Sequence, residues 1–266
     1  MNYAYILLLS ALMVRVDVTT APVNHNDITS ETASASDPNP TEIIRNMEEA
    51  MRGERQYAEM TMTIERPRYS REVSMRSWHM GTDHSLIIIT APARDQGAAF
   101  LMRGNDIWNY DPRIDRTTRL PSSMMAQSWM GSDFTNDDLV RESDPVEDFE
   151  HRLLRTETYN GQQAYVIELI PKPDTPVVWG KVLMWVAAED YIQLRIENYD
   201  QRDHRVTTME MDEIKSFGNR RVPTRITVTP AGKSNERTIL TQHTIDFDVD
   251  LDASFFSRAN MQRMRP

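Results

Sequence analysis

From Tyr57 onward the chain alternates. Ala58, Met60, Met62 and Ile64 are separated by Glu59, Thr61, Thr63 and Glu65, and Val73 and Met75 are flanked by Glu72, Ser74 and Arg76. Side chains on a strand point to opposite faces with a period of two, so this pattern sets one apolar face against a core and one polar face toward water. Similar short runs recur over 86–90, 98–102, 106–110, 164–170, 181–186, 206–214 and 239–249. Turn chemistry separates them, as in Arg103-Gly104-Asn105, Tyr159-Asn160-Gly161 and Phe217-Gly218-Asn219. Many short strands without alternating helices predict a mainly β (α+β) fold, about eleven strands in an antiparallel sheet that curls or closes.

The alternation fails once, over 121–141. Two helix-like pieces are predicted there. The first runs from Ser122 to Met130 and carries Met124, Met125, Trp129 and Met130; the second opens at Thr135, with Asp138 three residues on, the spacing of a capping box. One long insertion in a β chain reads either as a mobile cover or as a plain connection. Ahead of the strands, Thr41 reads as a helix N-cap, Ile43, Ile44, Met47, Ala50 and Met51 follow at helical spacing, and Gly53 ends the run. Residues 22–40 are rich in Thr, Ser, Asn, Asp and Pro and predict a flexible linker. The short apolar run AYILLLSALMV at 4–14 suits the hydrophobic part of a secretory signal, so 1–21 is predicted to be an export signal and 41–266 the folded domain.

Composition narrows the chemistry. Forty acidic against 30 basic residues give a net charge of −10, which repels phosphate backbones and excludes a general nucleic-acid binder. The absence of Cys excludes disulfides, thiolate metal sites and Cys nucleophiles. The six His residues lack metal-ligand spacing; His79, Asp83 and His84 come near one another only around a turn. There is no G-x-S-x-G elbow and no Gly-rich phosphate loop. Asp133, Asp137 and Asp138 form a carboxylate cluster that reads either as acid–base machinery or as residues favoured at a helix start. The positive signal is apolar: of 17 Met residues, ten fall between Met47 and Met130. Met is flexible and polarisable, so such a group reads either as plain core or as the lining of a ligand space.

The residues over 92–139 resemble the outer-membrane lipoprotein-sorting, LolA-like family. The likeness lies in Pro92 and Gly97-Ala98-Ala99-Phe100-Leu101, in Ile107-Trp108-Asn109-Tyr110-Asp111-Pro112, in Arg119-Leu120-Pro121-Ser122-Ser123, and most specifically in Gly131-Ser132-Asp133-Phe134-Thr135. The resemblance implies a periplasmic carrier whose curled, incomplete antiparallel β-barrel, covered by helices, holds the acyl chain of a lipid or lipoprotein; it is expected to be non-enzymatic and to need no cofactor or metal. It implies an inner-membrane exporter as donor and an outer-membrane acceptor, and a monomer is expected. It also implies an Arg that ties lid to barrel, but maps that Arg onto no position here. The expected cavity lining is Met60, Met62, Ile64, Val73, Met75, Leu86, Ile88, Phe100, Met102 and Trp108, and the expected lid residues are Met124, Met125, Trp129, Met130 and Phe134. Burying an alkyl chain is worth about 0.8 kcal/mol per methylene, so a sixteen-carbon chain gains on the order of 12 kcal/mol. Two other readings stay open: a periplasmic lipoprotein-sensing or interaction module without transport, and an envelope hydrolase using Asp133, Asp137 or Asp138.

Overall fold

The alternating segments become strands of one sheet. The computed structural model describes residues 38–266, apart from Arg52, Ala126, 140–143, Asp174, Pro176, Val178 and Arg265. The predicted export signal and most of the predicted linker lie outside the described residues. The elements are α1 (Pro40–Met51), β1 (Arg55–Arg66), β2 (Tyr69–Met80), β3 (His84–Ala91), β4 (Ala99–Arg103), β5 (Asp106–Asp111) and β6 (Arg116–Arg119). After the insertion come β7 (Phe149–Tyr159), β8 (Gln162–Pro171), β9 (Lys181–Ala187), β10 (Gln193–Tyr199), β11 (Arg205–Phe217), β12 (Arg220–Pro230), β13 (Arg237–Asp246) and α2 (Arg258–Arg263). There are thirteen strands rather than about eleven. Their order is β6-β5-β4-β3-β2-β1-β13-β12-β11-β10-β9-β8-β7, antiparallel throughout. The first and last strands therefore meet in the middle of the sheet. The two free edges, β6 and β7, are consecutive in sequence and joined by the insertion.

Two rows of directly opposed residues define the inner face. One runs Val73, Met62, Leu240, Ile226, Met211 across β2, β1, β13, β12 and β11. The other runs Thr238, Val228, Met209, Ile196, Met184, Ile167, Leu153 from β13 to β7. These residues, Thr238 apart, pack in one apolar cluster with Ile43, Ile44 and Met47 of α1, so the helix fills the concave side. The helix begins differently from the prediction. Asn39 Oδ1 accepts from Thr41 N at 3.0 Å and Asn39 O accepts from Ile43 N at 3.1 Å, which makes Asn39 the N-cap with Pro40 at the first helical position. Thr41 Oγ1 instead pairs with His151 Nδ1 of β7 at 3.0 Å. At the other end Arg220 of β12 donates to Glu49 O at 2.8 Å, satisfying a carbonyl that the helix leaves free.

A second apolar cluster lies on the outer face. Trp78, Leu86, Leu101 and Trp108 are opposed in one row, and Ile88, Ala99 and Tyr110 in the next; Leu251, Phe256 and Met261 from the C-terminal segment and α2 cover them. Among the described residues, no helix is long and apolar enough to cross a membrane.

Candidate functional site

The insertion carries the apolar plug of the half-barrel. Its predicted helical pieces are single 3-10 turns at Ser122–Met124, Trp129–Gly131 and Asp137–Leu139. The residues explain why no longer helix forms. Met130 and Gly131 take φ of 51° and 79°, which breaks a right-handed helix, and Gly131 tolerates that region without a Cβ penalty. The loop then closes on itself. Trp129 N donates to Phe134 O at 2.7 Å, Asn136 N donates to Gln127 O at 2.9 Å, and Ser128 forms an isolated antiparallel bridge with Thr135. The Thr135–Asp138 capping pair forms as its spacing predicts. Thr135 Oγ1 donates to Asp138 Oδ2 at 2.7 Å, and Asp138 N donates to Thr135 Oγ1 at 3.3 Å.

The tight loop projects two aromatic side chains inward. Trp129 is 2% exposed and Phe134 1%, and both join the inner cluster. Trp129 meets Phe100 edge to face, with ring centroids 5.4 Å apart. Leu139 is buried beside them, and Met125 and Met130 pack against the cluster from partly buried positions. Met124 is 39% exposed and does not belong to the plug.

The plug is held from outside by two arginines that the sequence reading did not single out. Arg66, the last residue of β1, forks onto Asp133, with Nη1 to Oδ2 and Nη2 to Oδ1 both at 3.1 Å, and donates to Gly131 O at 3.2 Å. Thr238 Oγ1 on β13 donates to the same carboxylate at 2.7 Å. Arg71 of β2 donates to Met130 O at 3.1 Å and to Asp95 Oδ2 at 2.7 Å. The clamp explains the Gly131-Ser132-Asp133-Phe134 motif residue by residue. Gly131 turns the chain, Ser132 Oγ ties back to Trp129 O at 2.7 Å, Asp133 grips Arg66, and Phe134 enters the core. Asp133 and Asp138 are thus occupied by lid-holding and capping bonds. The signal for the clamp was present as a pair of arginines on either side of the β1–β2 turn, but exposed arginines are common and period two cannot tell one from another.

Of the residues expected to line a cavity, Met62, Ile64, Val73, Met75, Phe100 and Met102 are in the inner cluster and Met60 packs against it. Leu86, Ile88 and Trp108 are on the outer face instead. The reason is physical. All four residues from Leu86 to Ile89 are apolar because both faces of β3 are covered, so alternation carries no parity there; Ile87 and Ile89 point inward.

Between α1, the sheet and the plug lies a hollow of about 80 Å³. At roughly 10–15 Å³ per water-sized body it has room for a handful, so plug and helix already occupy most of the concavity. Its wall is largely apolar, with Met51, Met60, Met75, Ile87, Trp129 and Phe134 among the lining residues, and none of the described lining residues is charged. His79 enters this wall as well. Burial pushes its imidazole down to a pKa of about 3, so it is neutral at pH 7. The three groups placed together by the turn at Asp83 separate in the structure: His84 Nδ1 pairs with Asp83 Oδ1 at 2.7 Å, while His79 faces the interior. Among the described residues no group of three or more His, Cys, Asp or Glu could hold a metal ion.

Comparison with known proteins fits this geometry. A protein-family profile, described as a "-like" uncharacterized protein, matches residues 81–263. No curated protein matches the chain. A solved domain from Vibrio parahaemolyticus, named for outer membrane lipoprotein sorting, is 25% identical, with a TM-score of 0.74 over 84% of this chain and 98% of that one. A DUF1329 family protein from Desulfovibrio piger is 23% identical, with a TM-score of 0.75 over 84% and 97%. A LolA superfamily protein from Nitrosomonas europaea is 24% identical, with a TM-score of 0.69 over 83% and 98%. The thirteen-stranded unclosed sheet with a helix in its concavity is the fold of these LolA-like, lipoprotein-sorting domains, and the profile match over more than half of the sequence shows the family: the chain belongs to the uncharacterized family that the profile describes.

Proposed function

We propose that this protein is a periplasmic, non-enzymatic carrier that buries the acyl chain of a lipid or lipoprotein in its half-barrel and moves it between membranes. The observation that carries this reading is the plug. Trp129 and Phe134 occupy the apolar interior, yet they sit on a self-bonded loop that reaches the sheet mainly through side-chain bonds from Arg66, Arg71 and Thr238. Such a loop can leave as a unit and an alkyl chain can take its place. Both make the same kind of apolar contact, so loading and release are close in free energy. The cavity residues in this reading are Met60, Met62, Ile64, Val73, Met75, Phe100 and Met102; the lid residues are Met125, Trp129, Met130 and Phe134. An inner-membrane exporter donates the cargo to the monomeric carrier and an outer-membrane component accepts it.

The test is native mass spectrometry of the protein purified from a Gram-negative periplasm, together with uptake of a radiolabelled fatty chain. Co-purified lipid or saturable uptake supports the carrier. Ligand-free protein that also fails to take up the chain overturns it.

A further inference from the structure

Three side chains in the wall of the hollow have polar atoms to which no protein group bonds. Both ring nitrogens of His79, Ser77 Oγ and Gln193 Oε1 are buried and lack a hydrogen-bond partner, as does Trp129 Nε1 at the plug. Ser77 is 1% exposed, His79 5% and Gln193 fully buried. All four residues line the same hollow. Their convergence follows from the fold. Val73, Met75, Ser77 and His79 share the inner parity of β2, and Gln193 opens β10, where its backbone N–H donates to the Met51 sulfur of α1 at 3.3 Å. Each unpaired buried polar atom costs about 1–3 kcal/mol, and a Val or Leu at these positions would remove that cost. Isolated orphans of this kind are rare in folded proteins, and a group of them around one space points to a bonding partner that enters the space.

We propose that the hollow receives an amphiphile whose alkyl chain ends in an uncharged hydrogen-bonding group, a hydroxyl, ester or amide, seated against Ser77, His79 and Gln193. The proposal rests on the carrier reading and specifies its ligand. Two features set the class. A bare hydrocarbon leaves these polar atoms unpaired. A carboxylate or phosphate finds no cation among the described lining residues, none of which is charged, and burying an unpaired charge is far more costly than burying a neutral group. A neutral imidazole offers one donor and one acceptor, Ser77 offers either, and Gln193 Oε1 accepts, so a group that both donates and accepts is matched best. The geometry also gives a direction. Arg71, which holds the lid, and His79 are on the same strand, eight residues and about 26 Å apart at full extension. A chain anchored at His79 runs along β2 toward the space that Trp129 and Phe134 vacate.

The experiment measures equilibrium binding of three sixteen-carbon probes to the full chain: 1-monopalmitoylglycerol, palmitate at pH 7.5, and hexadecane delivered from cyclodextrin. The expected result is a preference for monopalmitoylglycerol of at least tenfold over both others, the factor that one well-made buried hydrogen bond provides. In Ser77→Ala and His79→Leu, each with a melting temperature at or above that of the parent, this ratio falls toward one. Equal binding of the three probes, or a preference that survives both substitutions, overturns the proposal and leaves the carrier reading standing. No binding of any probe sinks both.

Discussion

The clamp on the lid makes a quantitative demand. Arg66→Ala removes two charge-assisted bonds to Asp133 at 3.1 Å and one to Gly131 O at 3.2 Å. The side chains of Arg66 and Asp133 are only 13% and 9% exposed, so the pair is not screened away like a surface ion pair. Asp133 keeps its bond from Thr238 Oγ1 at 2.7 Å, and the carboxylate regains water when the loop lifts. The low end of the range for charged hydrogen bonds therefore applies, about 3 kcal/mol for the fork, which is on the order of a hundredfold in the opening equilibrium of the loop. Amide hydrogen exchange by NMR reads this directly. The Asp133 N–H, bonded to Thr238 Oγ1 of β13 at 2.9 Å, joins loop to sheet, so this bond breaks when the plug lifts and the amide should exchange about a hundred times faster in the variant. The Met209 N–H in the central strand β11 should change little. Unchanged lid exchange would mean the fork holds nothing; lid and sheet amides accelerating by one common factor would mean the loop opens only by global unfolding. Either result refutes the idea of a separately removable plug.

Three further outcomes are expected. Trp129→Ala loses a fully buried indole, which in a plain core costs about 3–5 kcal/mol; if the loop lifts on its own, the loss in global stability is capped near the loop's opening free energy, and denaturant midpoints show less than the plain-core cost. For His79 the sign is fixed by burial: the folded imidazole has a pKa of about 3 against an ordinary 6.5, so the unfolded chain binds the extra proton. Stability therefore falls as pH drops from 7 to 5, by about 2 kcal/mol from this group, and a His79→Leu variant compared with the parent by urea melts at the two pH values should lack that increment. Gly180→Ala should destabilise by about 1–3 kcal/mol, because a Cβ there lies 2.5 Å from the backbone oxygen of Asp200, and a thermal melt indistinguishable from the parent would show that the β9–β10 end yields freely.

How much of this was legible in the sequence depends on where one face met water. Met60, Met62, Ile64, Val73 and Met75 alternate with polar residues, so their inward parity could be read. Leu86 to Ile89 could not be assigned, because the C-terminal segment covers the outside of β3 and leaves no polar counterpart; Leu86, Ile88 and, opposite Leu101, Trp108 belong to that outer cluster. The insertion was visible as a break in the pattern, and Trp129 and Phe134 as apolar residues in a polar setting. Its 3-10 turns were not, because two consecutive residues with positive φ are a property of the closed loop and only Gly131 announces one of them. Asn39 took the capping role that Thr41 seemed to claim, since Pro40 is best placed at the first helical position. The arginine clamp joins residues 67 positions apart and was beyond any local reading. His79 was noticed only as a ligand candidate; its burial requires knowing that β2 keeps its parity to its end.

The topology explains why a plug and an opening coincide. A curled sheet with two free edges invites edge-to-edge pairing. Here β6 is four residues long and bears Arg116 and Arg119, while β7 carries Glu150, Arg152, Arg155 and Glu157, which blunts both edges with charge. The Trp129–Phe134 loop lies in the segment that joins these edges, so on the carrier reading its displacement need not break any strand pairing of the sheet. Its internal bonds, including the Ser128–Thr135 bridge, can travel with it. What must be given up is the burial of Trp129, Phe134 and Leu139, the Arg66 fork, the Arg71 bond to Met130 O and the two bonds between Asp133 and Thr238. On the carrier reading a sixteen-carbon chain returns on the order of 12 kcal/mol on entering, which is what such a set of contacts has to be weighed against. A much tighter plug would bar the chain, and a much weaker one would leave nothing to expel it at the far membrane. A carrier therefore has to set the two against each other, and in the Trp129–Phe134 loop the terms to be set are two inward aromatic side chains, the Arg66 fork and the Arg71 bond.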